Sequence, residues 1–177
     1  MIYIRTVKND SISLTSQMIV GTDSAYSGGG GVRLTWAHDG QRLALEGMQG
    51  GTEGGTAAIQ VWDTSATRLV GVYPGSLAGW AWNGRLLATI TPKDGSSIDV
   101  WDTASGSLVA AYRATAAMWS PDHRRLAMSI QSGGDVQVWD VGLRKRLSII
   151  PGYAVSWAPD GERLLVCQGD SVCVYRA

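Results

Sequence analysis

Histidine and cysteine are scarce in this chain, two of each among 177 residues, and phenylalanine is absent. With only His38 and His123, no Ser-His-Asp or Cys-His set can be assembled, and no His-Glu-x-x-His motif occurs; no catalysis, cofactor or metal is therefore expected. Cys167 and Cys173 are too few for the disulfide framework of a small secreted protein. Both fall in apparent strands of the last segment, nearly opposite one another, where buried thiols stay inert rather than bridging or ligating. A surplus of either charge is also missing. Fifteen basic residues balance fifteen acidic ones, which removes the whole-molecule field that draws nucleic acid or an anionic membrane. Long apolar runs are lacking too: residues 1–20 scatter Arg5, Lys8, Asp10 and several Ser and Thr among apolar side chains. Neither a signal peptide nor a membrane span is expected, and the scarcity of cysteine points to a reducing cytoplasm.

What the chain does have is a period. Three apolar stretches end in Trp-Asp, "IQVWDT" from Ile59, "IDVWDT" from Ile98 and "VQVWDV" from Val136, and a fourth, "VCVYRA" from Val172, ends in Tyr-Arg. Trp62 to Trp101 is 39 residues, Trp101 to Trp139 is 38 and Trp139 to Tyr175 is 36. A period of this length is one supersecondary unit repeated. Upstream of each ending lies a second recurring element: "LTWAHDGQRLA" from Leu34, "WAWNGRLLA" from Trp80, "AMWSPDHRRLA" from Ala117 and "VSWAPDGERLL" from Val155. Each reads as a strand, a tight two-residue turn at Asp39-Gly40, Asn83-Gly84, Asp122-His123 or Asp160-Gly161, and a second strand opening on Leu. The alternation of Ile98 and Val100 against Asp99 and Trp101 has the period of two that a strand requires. A further apolar run follows each Trp-Asp, "RLVGVY" from Arg68, "SLVAAY" from Ser107 and "RLSII" from Arg146. Four strands per repeat, a to d in chain order, predict all-β antiparallel sheets.

Recurrence of Trp-Asp at a nearly fixed distance, with the Asp-containing turns between, resembles the WD-repeat β-propeller family over residues 33–176. The resemblance implies about four four-stranded blades in residues 33–177, forming a half-ring or a fragment of a larger ring, preceded by an N-terminal strand region and Gly-rich linker in residues 1–32. The Gly-His pair common in that family is replaced by Gly75-Ser76, Ala114-Thr115 and Gly152-Tyr153. No His network can form behind these tryptophans, and apolar packing is expected to replace it. The last repeat stops after its third strand, and a strand from residues 1–20 is a candidate to close it. Two copies, each lending that strand to the other, make an eight-bladed homodimer; the alternative is a piece of a longer propeller. Open blade faces are apolar and need a cover.

The resemblance implies a non-catalytic protein-protein interaction scaffold, with protein partners and no nucleic acid or membrane. Two other readings are a Pro-Asp-repeat propeller of a periplasmic or enzyme-associated protein, suggested by "SPD" and "APDG", and the C-terminal sensory or docking module of a larger bacterial signalling enzyme. Most tryptophans recur by blade and so read as packing residues. Trp36, Trp82, Trp119 and Trp157 are taken as one repeat position, and Trp62, Trp101 and Trp139 as another. Trp80 then stands alone, with Leu34, Ala117 and Val155 as equivalents. In the family topology it lies near the top opening, as a ligand anchor or as a larger core residue beside a shortened turn. The first repeat has an extra b to c segment, "EGMQGGTEGGTAA" from Glu46, which reads as a flexible loop and, lacking a Lys-Ser or Lys-Thr ending and a helix, not as a phosphate loop. The "SGGGG" run from Ser27 reads as a linker. The single concentration of charge is basic: Arg124 and Arg125 in one turn of the third repeat, and Arg144, Lys145 and Arg146 in another. Both turns emerge on the same face, where they are candidates for docking an acidic protein segment.

Overall fold

The computed structural model describes residues 2–8, 11–18, 33–49, 56–66, 68–92, 97–130 and 134–176. The "SGGGG" run and residues 50–55 of the first b to c segment lie outside them. A two-stranded hairpin pairs β1 (Ile2–Lys8) with β2 (Ser11–Met18). Four antiparallel sheets follow, each a meander in chain order. The first contains β3 (Arg33–Trp36), β4 (Arg42–Gln49), β5 (Thr56–Asp63) and β6 (Arg68–Pro74). The second contains β7 (Ser76–Trp80), β8 (Leu86–Thr91), β9 (Ser97–Asp102) and β10 (Ser107–Arg113). In the third are β11 (Ala116–Trp119), β12 (Arg125–Ser129), β13 (Asp135–Asp140) and β14 (Lys145–Pro151). The fourth has three strands, β15 (Tyr153–Trp157), β16 (Arg163–Gln168) and β17 (Ser171–Arg176). The unfinished fourth repeat is thus present as the sequence indicates; β1 and β2 pair with each other rather than with β17.

Each core lies between consecutive sheets. Ala44, Ile59 and Val61 of the first sheet pack on Trp80 and Leu87 of the second. Ala88, Ile98 and Val100 of the second meet Leu126 and Met128 of the third, and Ala127, Val136 and Val138 of the third meet Trp157, Leu164 and Val166 of the fourth. Period-two alternation sends neighbours such as Leu87 and Ala88, or Leu126 and Ala127, to opposite surfaces of a sheet, so every repeat covers its predecessor as in other repeat architectures.

The Trp-Asp ending has a local cause. In each complete sheet the Trp lies beside a β-bulge in the c to d pairing, at Val61/Trp62, at the Trp101/Val100 step and at Val138/Trp139. The following Asp shapes the turn: the Asp63 carboxylate accepts from the Ser65 and Ala66 N–H groups, Asp102 from Ala104 and Asp140 from Leu143. Such local acceptors are what turn positions select. The indole N–H groups are also satisfied within their own sheets. Trp62 donates to Gln60, Trp101 to Thr89 and Trp139 to Gln137. Polar partners two residues back on the same strand, or on the neighbouring strand for Trp101, therefore take the role that packing alone was expected to fill.

The first b to c segment is shorter as a loop than its sequence suggests. Glu46 to Gln49 continue β4 and Thr56 to Ala58 open β5, in register Glu46↔Ile59 through Gln49↔Thr56. The two cysteines are nearly opposite, one register step apart. Cys167 pairs with Val172 and Cys173 with Val166, and both thiols are free and half-buried.

Candidate interaction face

The four a to b turns share one construction, which fixes the equivalence of the repeats. Gly40, Gly84, His123 and Gly161 donate their N–H groups to Ala37, Ala81, Ser120 and Ala158, three residues back. Ala37, Ala81, Ser120 and Ala158 in turn donate to Arg42, Leu86, Arg125 and Arg163. The loop is thus wider than a two-residue hairpin. Its fourth residue has φ of 66°, 63°, 53° and 71° in the four repeats, the region where glycine is favoured. One position earlier, Asp39, Asn83, Asp122 and Asp160 accept the N–H two residues on.

This alignment corrects the position of Trp80. Trp36 pairs with Leu43, Trp80 with Leu87, Trp119 with Leu126 and Trp157 with Leu164, so Trp80 is the repeated strand-a tryptophan and its turn is not shortened. It ends its strand beside the a to b turn, away from the opposite opening. Its ring is 2% exposed and its indole N–H donates to the Thr35 carbonyl at 3.2 Å. An interior ring is not available to a ligand. Trp82 takes the place of His38, Pro121 and Pro159 in the turn and is 52% exposed. Aligning the turns rather than the tryptophans would have found it.

Trp82 is held by the third repeat. Its N–H donates to the His123 carbonyl at 2.9 Å, and the Arg124 guanidinium carbon lies 4.9 Å from its ring centroid, within cation–π range. His123 is the residue that takes the left-handed position without being glycine. Its Nδ1 is 2.8 Å from the Trp80 carbonyl, and its ring meets His38 edge-on at 4.1 Å and stacks towards Trp119 at 6.4 Å. The two histidines, 85 residues apart in sequence, are thus in contact. Partial burial and the neighbouring His123 lower the His38 pKa. The a to b turns of the first three repeats therefore converge, and their aromatic side chains meet across repeat boundaries.

The predicted basic residues separate into two groups. The β12 and β13 pairing sets Arg125 opposite Asp140, and Asp140 opposes Lys145, which puts both turns at the same end of the third sheet. Arg125 points across the repeat boundary: it donates to the Gly161 carbonyl at 2.5 Å and its guanidinium carbon lies 5.3 Å from the Trp157 centroid. It therefore acts between repeats. Arg124 is committed to Trp82, while Arg144, Lys145 and Arg146 are exposed. Two carboxylates share this end. Burial acts to raise the Asp122 pKa, and the Ser120 hydroxyl, the Arg124 N–H and the Arg125 and Arg124 charges more than offset it, so the net shift is down. Asp140 caps the Leu143 N–H. Among the described residues no group of three or more His, Cys, Asp or Glu side chains could hold a metal ion, and no helix is long and apolar enough to cross a membrane.

No family model matches the chain, and no curated protein matches it. Solved structures do. A chain of the mitotic checkpoint complex is 21% identical, with a TM-score of 0.56 over 81% of this chain and 49% of its own. The WD40 domain of Toxoplasma gondii coronin is 18% identical, with a TM-score of 0.54 over 82% of this chain and 42% of its own. The fold is a β-propeller of the WD-repeat type. The same blades also resemble Kuenenia stuttgartiensis hydrazine synthase, at 17% identity and a TM-score of 0.54 over 89% of this chain and 49% of that one. The chain therefore spans about half the length of the propellers it matches, and its four sheets are four blades, the last without its outer strand.

Proposed function

We propose that this propeller is a non-catalytic, cytoplasmic protein-interaction scaffold in which two copies complete an eight-bladed ring, and in which the a to b and c to d turns of the third blade dock an acidic partner segment. The supporting observation is the pairing of exposed Trp82 with Arg124 beside Arg144, Lys145 and Arg146. Tryptophan and arginine are the residues most enriched at binding hot spots, and a cationic rim steers and orients an acidic ligand. Glutamate-rich peptides containing an apolar anchor are the appropriate probe. By calorimetry in low salt, binding is expected to the wild-type protein, to weaken with added salt, and to be lost in an R144E/K145E/R146E variant. Undiminished binding by that variant, or no binding by the wild-type chain, refutes the docking face.

A further inference from the structure

Two of the three blade junctions share a contact that the outer faces of the first and fourth blades leave unmade. At the first junction, Arg42, the opening residue of strand b, donates to the Gly84 carbonyl of the next blade at 3.4 Å and to Thr103 at 3.0 Å. At the third, Arg125 occupies the same position and donates to the Gly161 carbonyl while lying over the Trp157 ring. Both junctions also bury the next blade's strand-a tryptophan, Trp80 or Trp157, whose indole N–H reaches the preceding strand a at Thr35 or Met118. The middle junction has Leu86 in place of arginine, and there the Trp119 indole N–H is buried without a partner, its ring against Gly79. The arginine and the hydrogen-bonded tryptophan occur together.

Arg163 is the equivalent residue of the fourth blade, and Trp36 and Gly40 are the equivalents on the first. Trp36 is 55% exposed where Trp80 is 2% and Trp157 9%. A Cβ added to Gly40 meets nothing within 4 Å, whereas at Gly84 it meets Asp39 and at Gly161 it meets Pro121 and Arg125, each in the preceding blade. Leu34 beside Trp36 is 49% exposed, while their strand-b partners Leu43 and Leu45 are already covered within the chain, so the open part of this face is its strand-a edge. The fourth blade is open on the complementary side. Its strand-c pair Val172 and Val174 is 62% and 60% exposed, while the equivalent pairs Ile59/Val61, Ile98/Val100 and Val136/Val138 are all at 0%. A strand-c pair buried at every internal junction but exposed in the fourth blade, and a strand-a tryptophan buried at two junctions but exposed in the first, mark surfaces that another blade covers.

We infer that the fourth blade of one copy seats on the exposed strand-a edge of the first blade of a second copy, with Arg163 donating to the Gly40 carbonyl across the Trp36 ring and with Val172 and Val174 packing beside Trp36 and Leu34. The inference rests on the two-copy ring proposed above and names the contact that closes it. A second copy is the occupant because it presents the same strand-a tryptophan and turn carbonyl that the internal junctions use. In a two-fold ring this contact occurs twice, each time between unlike surfaces. In the free chain Arg163 pairs with Asp160 at 2.8 Å, a surface ion pair of little strength that the seated arrangement shares with the new contact.

The test is the mass of the chain in solution and its response to W36A and R163A, with circular dichroism confirming that both variants fold. Light scattering of the wild-type protein is expected to give twice the 18.8 kDa chain mass, and each variant is expected to dimerise roughly a hundredfold more weakly, the range of an interface hot spot. Mixing the two variants, one carrying a mass tag, restores one intact junction per heterodimer, so native mass spectrometry is expected to find heterodimer above the statistical share. A dimer that both substitutions leave unchanged, or a statistical mixture, overturns the Trp36–Arg163 contact while leaving the two-copy ring in place. A monomeric wild-type chain overturns the ring itself, and with it the second copy as occupant.

Discussion

Replacing Trp80, Trp82 and Trp36 one at a time by alanine tests the repeat register directly. A tryptophan buries about 200 Å², which at roughly 25 cal/mol per Å² corresponds to about 5 kcal/mol. Trp80 is 2% exposed and packed among Ala37, Ala44, Ile59, Val61 and Leu87, so W80A is expected to cost about 3–5 kcal/mol. A further contribution comes from the Thr35 carbonyl, which loses its donor. Trp36 is 55% exposed, and the same area argument gives about 2 kcal/mol for W36A at a concentration where the chain is monomeric. W82A, at a turn position 52% exposed, is expected to cost no more than W36A, with part of the loss coming from its contact with Arg124. For a chain of this size a loss of 3–5 kcal/mol lowers the melting temperature by about 6–20 °C. Urea unfolding followed by far-ultraviolet circular dichroism reads all three. If W80A proves no more costly than W82A, the alignment built on the turns is wrong.

Gly152 lies at φ 114° with a hypothetical Cβ 2.3 Å from the Cys167 carbonyl oxygen, whereas Gly106, at φ 71°, has nothing within 4 Å. G152A is therefore expected to destabilise by at least about 3 kcal/mol and G106A by about 1, through backbone strain alone; equal urea midpoints would contradict this. The Arg85 hydrogen bond is the main reason that the Asp102 pKa falls from 3.8 to about 2. A depressed carboxylate pKa contributes stability above its unfolded value that is lost as pH falls through the folded one, so stability should decline between about pH 4 and pH 2. R85A should flatten that part of the pH profile, and an unchanged slope would exclude the pair as its source. For His38 the shift is also down, from 6.5, but the unfolded chain then takes up the proton first. Stability is accordingly expected to fall as pH drops below about 6.5, with a smaller decline in H38Q, and unfolding curves at pH 7 and pH 5.5 measure it.

Much of the architecture was legible because its causes are local. Alternation identifies strands, Asp-Gly and Asn-Gly identify the turns, and the Asp of Trp-Asp recurs because it binds N–H groups within three residues of itself. The placement of Trp80 was not legible on the same terms. Trp80 and Trp82 are two residues apart, so a period of two puts both on one side of an extended strand and cannot choose between them. The pairing of Trp80 with Leu87 does choose. Among the basic residues, spacing put all five in two turns, but their uses are set by the neighbouring blades: Arg125 by Gly161 and Trp157, Arg124 by Trp82.

By itself, then, the sequence determined the repeat, the strands, the turns and the unfinished fourth blade, since each follows from hydrogen bonds and side-chain alternation within about forty residues. Tertiary structure alone decided which tryptophans are core and which are surface. It also brought His38 to His123 and left Trp36, Val172 and Val174 uncovered. Those outcomes depend on how one sheet lies on the next, and burial between sheets belongs to pairs of surfaces rather than to the residues of either one.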